Sequence, residues 1–151
     1  MTKLIIAGCR HFEDYKYLSA HMNLVIPPWI KVTEVVCGKA PGADTLGERW
    51  AIANNIPVKE FPADWDKHKR AAGPIRNSEM AEYADALVAF WDGKSTGTKD
   101  MIDKMRKKNK WNCVIRIDIP WDKQYYLDSD GKKLFPKLNN MELQNQNDVR
   151  I

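Results

Sequence analysis

The chain has 151 residues, with 24 Lys and Arg against 20 Asp and Glu and a formal net charge of +4. That length suits one ordinary domain, and no apolar run approaches the ~18 residues that span a bilayer. Three scattered cysteines and an N-terminal stretch, MTKLIIAGCR, too short in apolar residues for a secretory signal argue for a cytoplasmic protein with reduced thiols.

Lys3–Ala7 (KLIIA) is a short apolar run ending at Gly8, which predicts a buried strand and a turn. Asp14 can cap a helix over Tyr15–Val25, stopped by Pro27-Pro28. Thr33–Cys37 (TEVVC) predicts the second strand, ending at Gly38. Gly42-Ala43-Asp44 opens a helix with Leu46, Trp50 and Ala53 on one face. Pro57–Phe61 (PVKEF) predicts a shorter, more polar third strand. A long connection, Pro62–Gly73, leads to a helix around Ile75–Tyr83. The strand Ala86–Phe90, a helix over Thr98–Lys107 and the strand Asn112–Ile117 follow. Strands alternating with helices imply an α/β, Rossmann-like parallel sheet, order 3-2-1-4-5, with helices on both faces. Residues 1–119 read as this nucleotide-binding domain, and 120–151 as a C-terminal extension. There, Tyr125–Leu127 and Lys132–Phe135 flank a turn at Asp128–Gly131, a hairpin pattern at the sheet edge, before a polar tail from Asn139.

The stretch Ala86–Met101, ALVAFWDGKSTGTKDM, runs from strand through a glycine- and hydroxyl-rich turn into a helix. A turn of this kind presents backbone N–H groups at a helix N-terminus, where the dipole also favours an anion. Gly93, Ser95, Thr96, Gly97 and Thr98 are the candidate phosphate-binding residues. Gly93-Lys94-Ser95 matches the end of the P-loop pattern, but Val88 stands where its first glycine belongs, so a P-loop ATPase is excluded. The proposed strand order brings two further turns to the same rim, Gly8-Cys9-Arg10 and Gly38–Asp44, with Arg10 and Lys39 as cations. Gly8, Arg10, Gly38, Gly42 and Asp44 are therefore candidate ligand residues. Asp44 has two readings, helix-start electrostatics or acceptance from a sugar hydroxyl. The dinucleotide fingerprint G-x-G-x-x-G is absent after the first strand, which argues against a nicotinamide dehydrogenase.

In the long connection, Trp65 is a candidate stacking platform for a base. Arg76, placed by the predicted helix in its first turn, needs an anionic partner, either a phosphate or an acidic neighbour. No His, Cys or carboxylate cluster has metal-ligand spacing, so neither a metal site nor a cofactor is expected. Lys104–Lys110 (KMRKKNK) reads as a dipole-matched helix end, with a nucleic-acid patch as the alternative. Trp111, Trp121 and Tyr125–Tyr126 offer an apolar surface through which a homo-oligomer would form.

GCRHF, GKAPGADTLGERWA, FPADW, AGPIRNSEM and ADALVAFWDGKSTGT together resemble the YspA-like branch of the SLOG superfamily, over Lys3 to about Ile117. That superfamily includes the Lonely Guy phosphoribohydrolases and the DNA-processing protein DprA. The resemblance implies a Rossmann-like fold binding nucleotides or nucleotide-derived ligands. Arg76-Asn77 through Met80 is similar to the Arg-Lys-x-x-Met element of Lonely Guy enzymes, and the turn ending Gly97-Thr98 to their glycine-rich element. Those enzymes hydrolyse the N-glycosidic bond of nucleoside monophosphates with the arginine and a glutamate. Met101 stands at that glutamate position, and a thioether manages no proton. Asp100, directed about 100° from Met101 around the helix, is the substitute in an enzymatic reading with Arg76. The expected function is binding or sensing of a nucleotide-derived ligand. Phosphoribohydrolysis is the first alternative, and single-stranded nucleic-acid binding, which the DprA likeness raises, the second.

Overall fold

In the computed structural model, the described residues are 1–119 together with the strand residues 126–127 and 133–134. The elements run β1 (Thr2–Gly8), α1 (Tyr15–Val25), β2 (Val32–Cys37), α2 (Ala43–Ala53), β3 (Val58–Glu60), α3 (Trp65–His68) and α4 (Ala72–Tyr83). They continue with β4 (Ala86–Trp91), α5 (Thr96–Lys107), β5 (Trp111–Arg116), β6 (Tyr126–Leu127) and β7 (Lys133–Leu134). The first five strands pair in parallel in the order β3-β2-β1-β4-β5. The doubly wound α/β fold read from the sequence is the fold observed. β6 adds antiparallel to β5, and β7 to β6, so the sheet grows past the parallel core. The predicted turn at Asp128–Gly131, Trp121, Tyr125 and the tail from Asn139 lie outside the described residues.

Alternation along β1 sets the layers. Leu4 and Ile6 pack with Val88, Phe90, Leu18 and Trp50 on one face, while Ile5 and Ala7 pack with Leu87, Met80 and Met105 on the other. All of β1 from Leu4 to Ile6 is 0–1% exposed, and each such side chain contributes about 1.5–3 kcal/mol of burial free energy. Asp14 caps α1 as predicted, accepting from Tyr17 N at 3.0 Å.

The structure corrects the connection after β3. Pro62–Gly73 is not an irregular loop, because it holds α3, a 3-10 turn over Lys69–Ala71 and the start of α4. Helix α4 begins at Ala72 rather than Ile75, with Gly73 and Pro74 inside its first turn, where proline's missing N–H costs no hydrogen bond. Arg76 is consequently in the second turn. α5 likewise starts two residues earlier than predicted, at Thr96.

Candidate functional site

Parallel strands deliver their carboxyl ends to one rim, and β1 and β4 lie side by side there with Gly8 opposite Phe90. The segments leaving β1, β2 and β4 meet α3, α4 and α5 around a cavity of about 580 Å³. Of the predicted ligand residues, Gly8, Arg10, Asp44, Trp65, Arg76, Asn77, Ser95, Thr96, Gly97 and Thr98 line it. Gly38, Gly42 and Gly93 are not among its lining residues.

The N-terminus of α5 forms one wall. Ser95 is the N-cap residue, yet its side chain does not cap the helix. Its hydroxyl instead lies 3.2 Å from that of Thr98. The first intrahelical bond runs from Lys99 N to Ser95 O, which leaves the amides of Thr96, Gly97 and Thr98 ahead of the helical ladder. The turn upstream departs from the sequence reading. Asp92 Oδ1 accepts from Lys94 N at 2.9 Å and Ser95 N at 2.8 Å, so two of the expected phosphate-facing amides are already bonded. Gly93 takes φ +80° to make that turn, and a β-carbon there would run into the Arg116 guanidinium. The amides ahead of the helical ladder that line the cavity therefore begin at Thr96.

Arg76 rises from the opposite wall, 9% exposed. Its guanidinium donates to the Gly38 carbonyl, and Nε donates to Asn77 Oδ1 at 3.0 Å. Gly38 is sandwiched, since a β-carbon there would sit 2.7 Å from Arg76 Nη1 and 2.8 Å from Asp44 Oδ2. Asp44, in the first turn of α2, accepts from Ala40 N at 3.2 Å. Burial pushes its pKa up to about 6, opposed by the Ala40 N–H and by the charges of Arg76 and Arg10. Of the two partners the sequence left open for Arg76, a phosphate or an acidic neighbour, Asp44 lies near enough for its charge to be felt, across Gly38. Gly42 makes the approach to α2 possible, holding φ +81° against the Cys9 and Arg10 carbonyls.

Asn77 joins the two walls. Its Nδ2 donates to Gly97 O at 3.2 Å and Asp100 Oδ2 at 3.0 Å. The same Asp100 oxygen receives Lys104 Nζ at 2.7 Å. Asp100 and Met101 both line the cavity despite their different directions on α5. At the mouth, half-exposed Trp65 lies under the Arg10 guanidinium, 5.6 Å from ring centroid to Cζ. Arg70 also lines the cavity; its place in an apparent loop concealed this in the sequence. Lys39, grouped with Arg10 at the rim from sequence, turns away to Glu48 at 2.9 Å and Glu60 at 3.3 Å. Within KMRKKNK, Lys104, Arg106, Lys108 and Lys110 bond Asp100, Asn112, Glu82 and the Ala84 carbonyl respectively. These contacts draw the basic run onto the protein's own surface.

One constellation escaped the sequence entirely. Cys9, His11 and Asp92 bring one ligand atom each within 4.8 Å of the others. Cys9 and His11 are two residues apart after β1, and Asp92 joins them from far along the chain because β1 and β4 end together.

The chain is 38% identical over 115 residues to the Gene 61 protein of Mycobacterium phage D29, spanning 71% of this chain and 90% of the phage protein. No solved structure matched it. Residues 2–68 match the YspA, cpYpsA-related SLOG family, and this stretch supplies β1 to β3, the Gly8–Arg10 and Gly38–Asp44 turns and Trp65. With the β1 and β2 side of the cavity built from the matched segment, and the phage relative aligned over nearly its whole length, the chain belongs to the YspA, cpYpsA-related SLOG family.

Proposed function

We propose that this chain binds a nucleotide-derived small ligand in the cavity over the β1–β4 strand ends. The observation that carries the reading is the pairing of the Thr96–Thr98 helix start with Arg10, Arg70 and Arg76 around one hollow of about 580 Å³. That volume suits a drug-sized molecule. Three arginines against the carboxylates of Asp44 and Asp100 leave the lining positive, and a helix N-terminus adds donors aimed at an anion. The ligand's phosphate sits on Thr96–Thr98, Arg76 and Arg10 offset its charge, and Trp65 stacks on the base. Asp44 faces the ribose, with a carboxyl oxygen that accepts from a hydroxyl in either protonation state.

Calorimetry of the purified chain against nucleoside monophosphates, ADP-ribose and cyclic dinucleotides tests this. One class is expected to bind with 1:1 stoichiometry. Gly97→Leu is expected to weaken it tenfold or more at unchanged Tm, because a β-carbon at Gly97 meets nothing within 4 Å. Silence across the whole panel defeats the proposal. A second reading, phosphoribohydrolysis, draws support from the Asn77 bridge linking Arg76 to Asp100. Free base released from a monophosphate, and lost in Asp100→Asn, moves the assignment from binder to enzyme.

A further inference from the structure

Beside the cavity, Cys9, His11 and Asp92 present a sulfur, a nitrogen and an oxygen within 4.8 Å of one another. We propose that they form a three-ligand site for a divalent transition ion of the zinc type. The donor set is the mixed S/N/O set that zinc accepts, and three protein ligands leave a fourth position open. Hard ions such as Mg²⁺ prefer oxygen alone and are disfavoured by the thiol.

The surroundings hold two of the three ligands in place. Cys9 is 1% exposed at the end of β1, and its backbone N–H bonds Phe90 O at 3.2 Å. Its sulfur accepts the Asp92 N–H at 3.2 Å and, as a thiol, donates to Phe90 O at 3.6 Å, a bond that is given up when the ion takes the place of the proton. Asp92 spends Oδ1 on the Lys94 and Ser95 amides, which orients the carboxylate and leaves Oδ2 facing His11 Nε2 at 3.8 Å. His11 is the adjustable member, its side chain 69% exposed. Its exposure lets the ring turn towards an ion held by the other two ligands, and the thiol proton leaves to solvent as sulfur binds the ion. Cys9 and His11 also line the cavity, so the proposed site lies beside it.

The test uses the metal alone, with the full chain, tag removed and metal stripped by chelator, so it stands apart from any nucleotide result. Zn²⁺ titration by calorimetry is expected to give one site, undisturbed by a large excess of Mg²⁺. Co²⁺ is expected to show a thiolate-to-metal charge-transfer band. Cys9→Ser is expected to abolish that band and weaken Zn²⁺ at least tenfold. His11→Ala is expected to weaken it similarly and, being a surface change, to leave the fold intact where Cys9→Ser does not. Cys113→Ser is expected to keep both signals. Absence of a stoichiometric site, a Co²⁺ complex lacking the thiolate band, or Zn²⁺ affinity indifferent to His11→Ala overturns the assignment.

Discussion

At the level of single residues, Asp44 sets the charge balance at the base of the cavity. Its carboxyl titrates near 6 because burial opposes ionisation more than Ala40 N–H, Arg76 and Arg10 favour it. Above that pH its negative charge competes with any anion for those arginines, and below it the competition ends. ADP-ribose, whose phosphates do not titrate in this range, is therefore expected to bind several-fold tighter at pH 5.5 than at pH 8. Asp44→Asn is expected to flatten that dependence, as read by calorimetry at the two pH values. Asp44 was singled out in the sequence as a helix-start carboxylate, but nothing local announced its burial. That property arises because α4 brings Arg76 across Gly38, from a residue 38 positions away. Gly93 shows the converse. Its sequence context suggested a phosphate contact, whereas the Asp92 side chain claims the neighbouring amides, a choice that only the turn's conformation decides.

Among the elements, the junction of β1 with β4 controls whether the rim exists at all. A β-carbon on Gly8 would run into the Phe90 carbonyl oxygen and lie 2.9 Å from Ala43 Cβ. The obstruction is main chain at the centre of the sheet, where relief requires moving a strand. Gly8→Ala is expected to cost about 3 kcal/mol or more, by analogy with overpacking elsewhere in cores, seen as a lower denaturation midpoint with unchanged m-value. The central strands were legible because a parallel sheet is apolar on both faces and glycine stands at or near the exits of β1, β2 and β4. Helix starts were less so. Gly73-Pro74 signals a break to local rules, yet a helix tolerates both in its first turn, and α3 is too short for its periodicity to register.

For the whole molecule, two buried groups place opposing slopes on stability. His21 is 2% exposed, donates from Nδ1 to Tyr17 O at 2.8 Å and stacks on Tyr17. Burial lowers its pKa to about 4. The unfolded chain therefore protonates His21 near 6.5 while the folded chain does not, and stability falls as pH drops from that value towards 4. Asp44 acts oppositely: between 3.8 and about 6 the folded chain holds a proton that the unfolded chain has lost, so its contribution declines as pH rises. Each effect is on the order of 2 to 3 kcal/mol at full development, and over pH 4–6 they largely offset. Urea unfolding is expected to show a shallow pH dependence there for the wild type. Asp44→Asn is expected to reveal a clear loss of stability on acidification, carried by His21. An equally shallow profile in that variant contradicts the assignment. No described helix is long and apolar enough to cross a membrane, in keeping with the charge-rich composition.

Asn77 leaves little slack between the halves of the molecule. Its oxygen takes Arg76, and its nitrogen holds both the Gly97 carbonyl and Asp100. Spreading α4 from α5 would therefore sacrifice both of the bonds that its nitrogen makes to α5. On the proposed reading the hollow is then a preset mould rather than a jaw that shuts: a guest would pay little ordering entropy on arrival, and discrimination would fall to its outline instead of to any adjustment by the host.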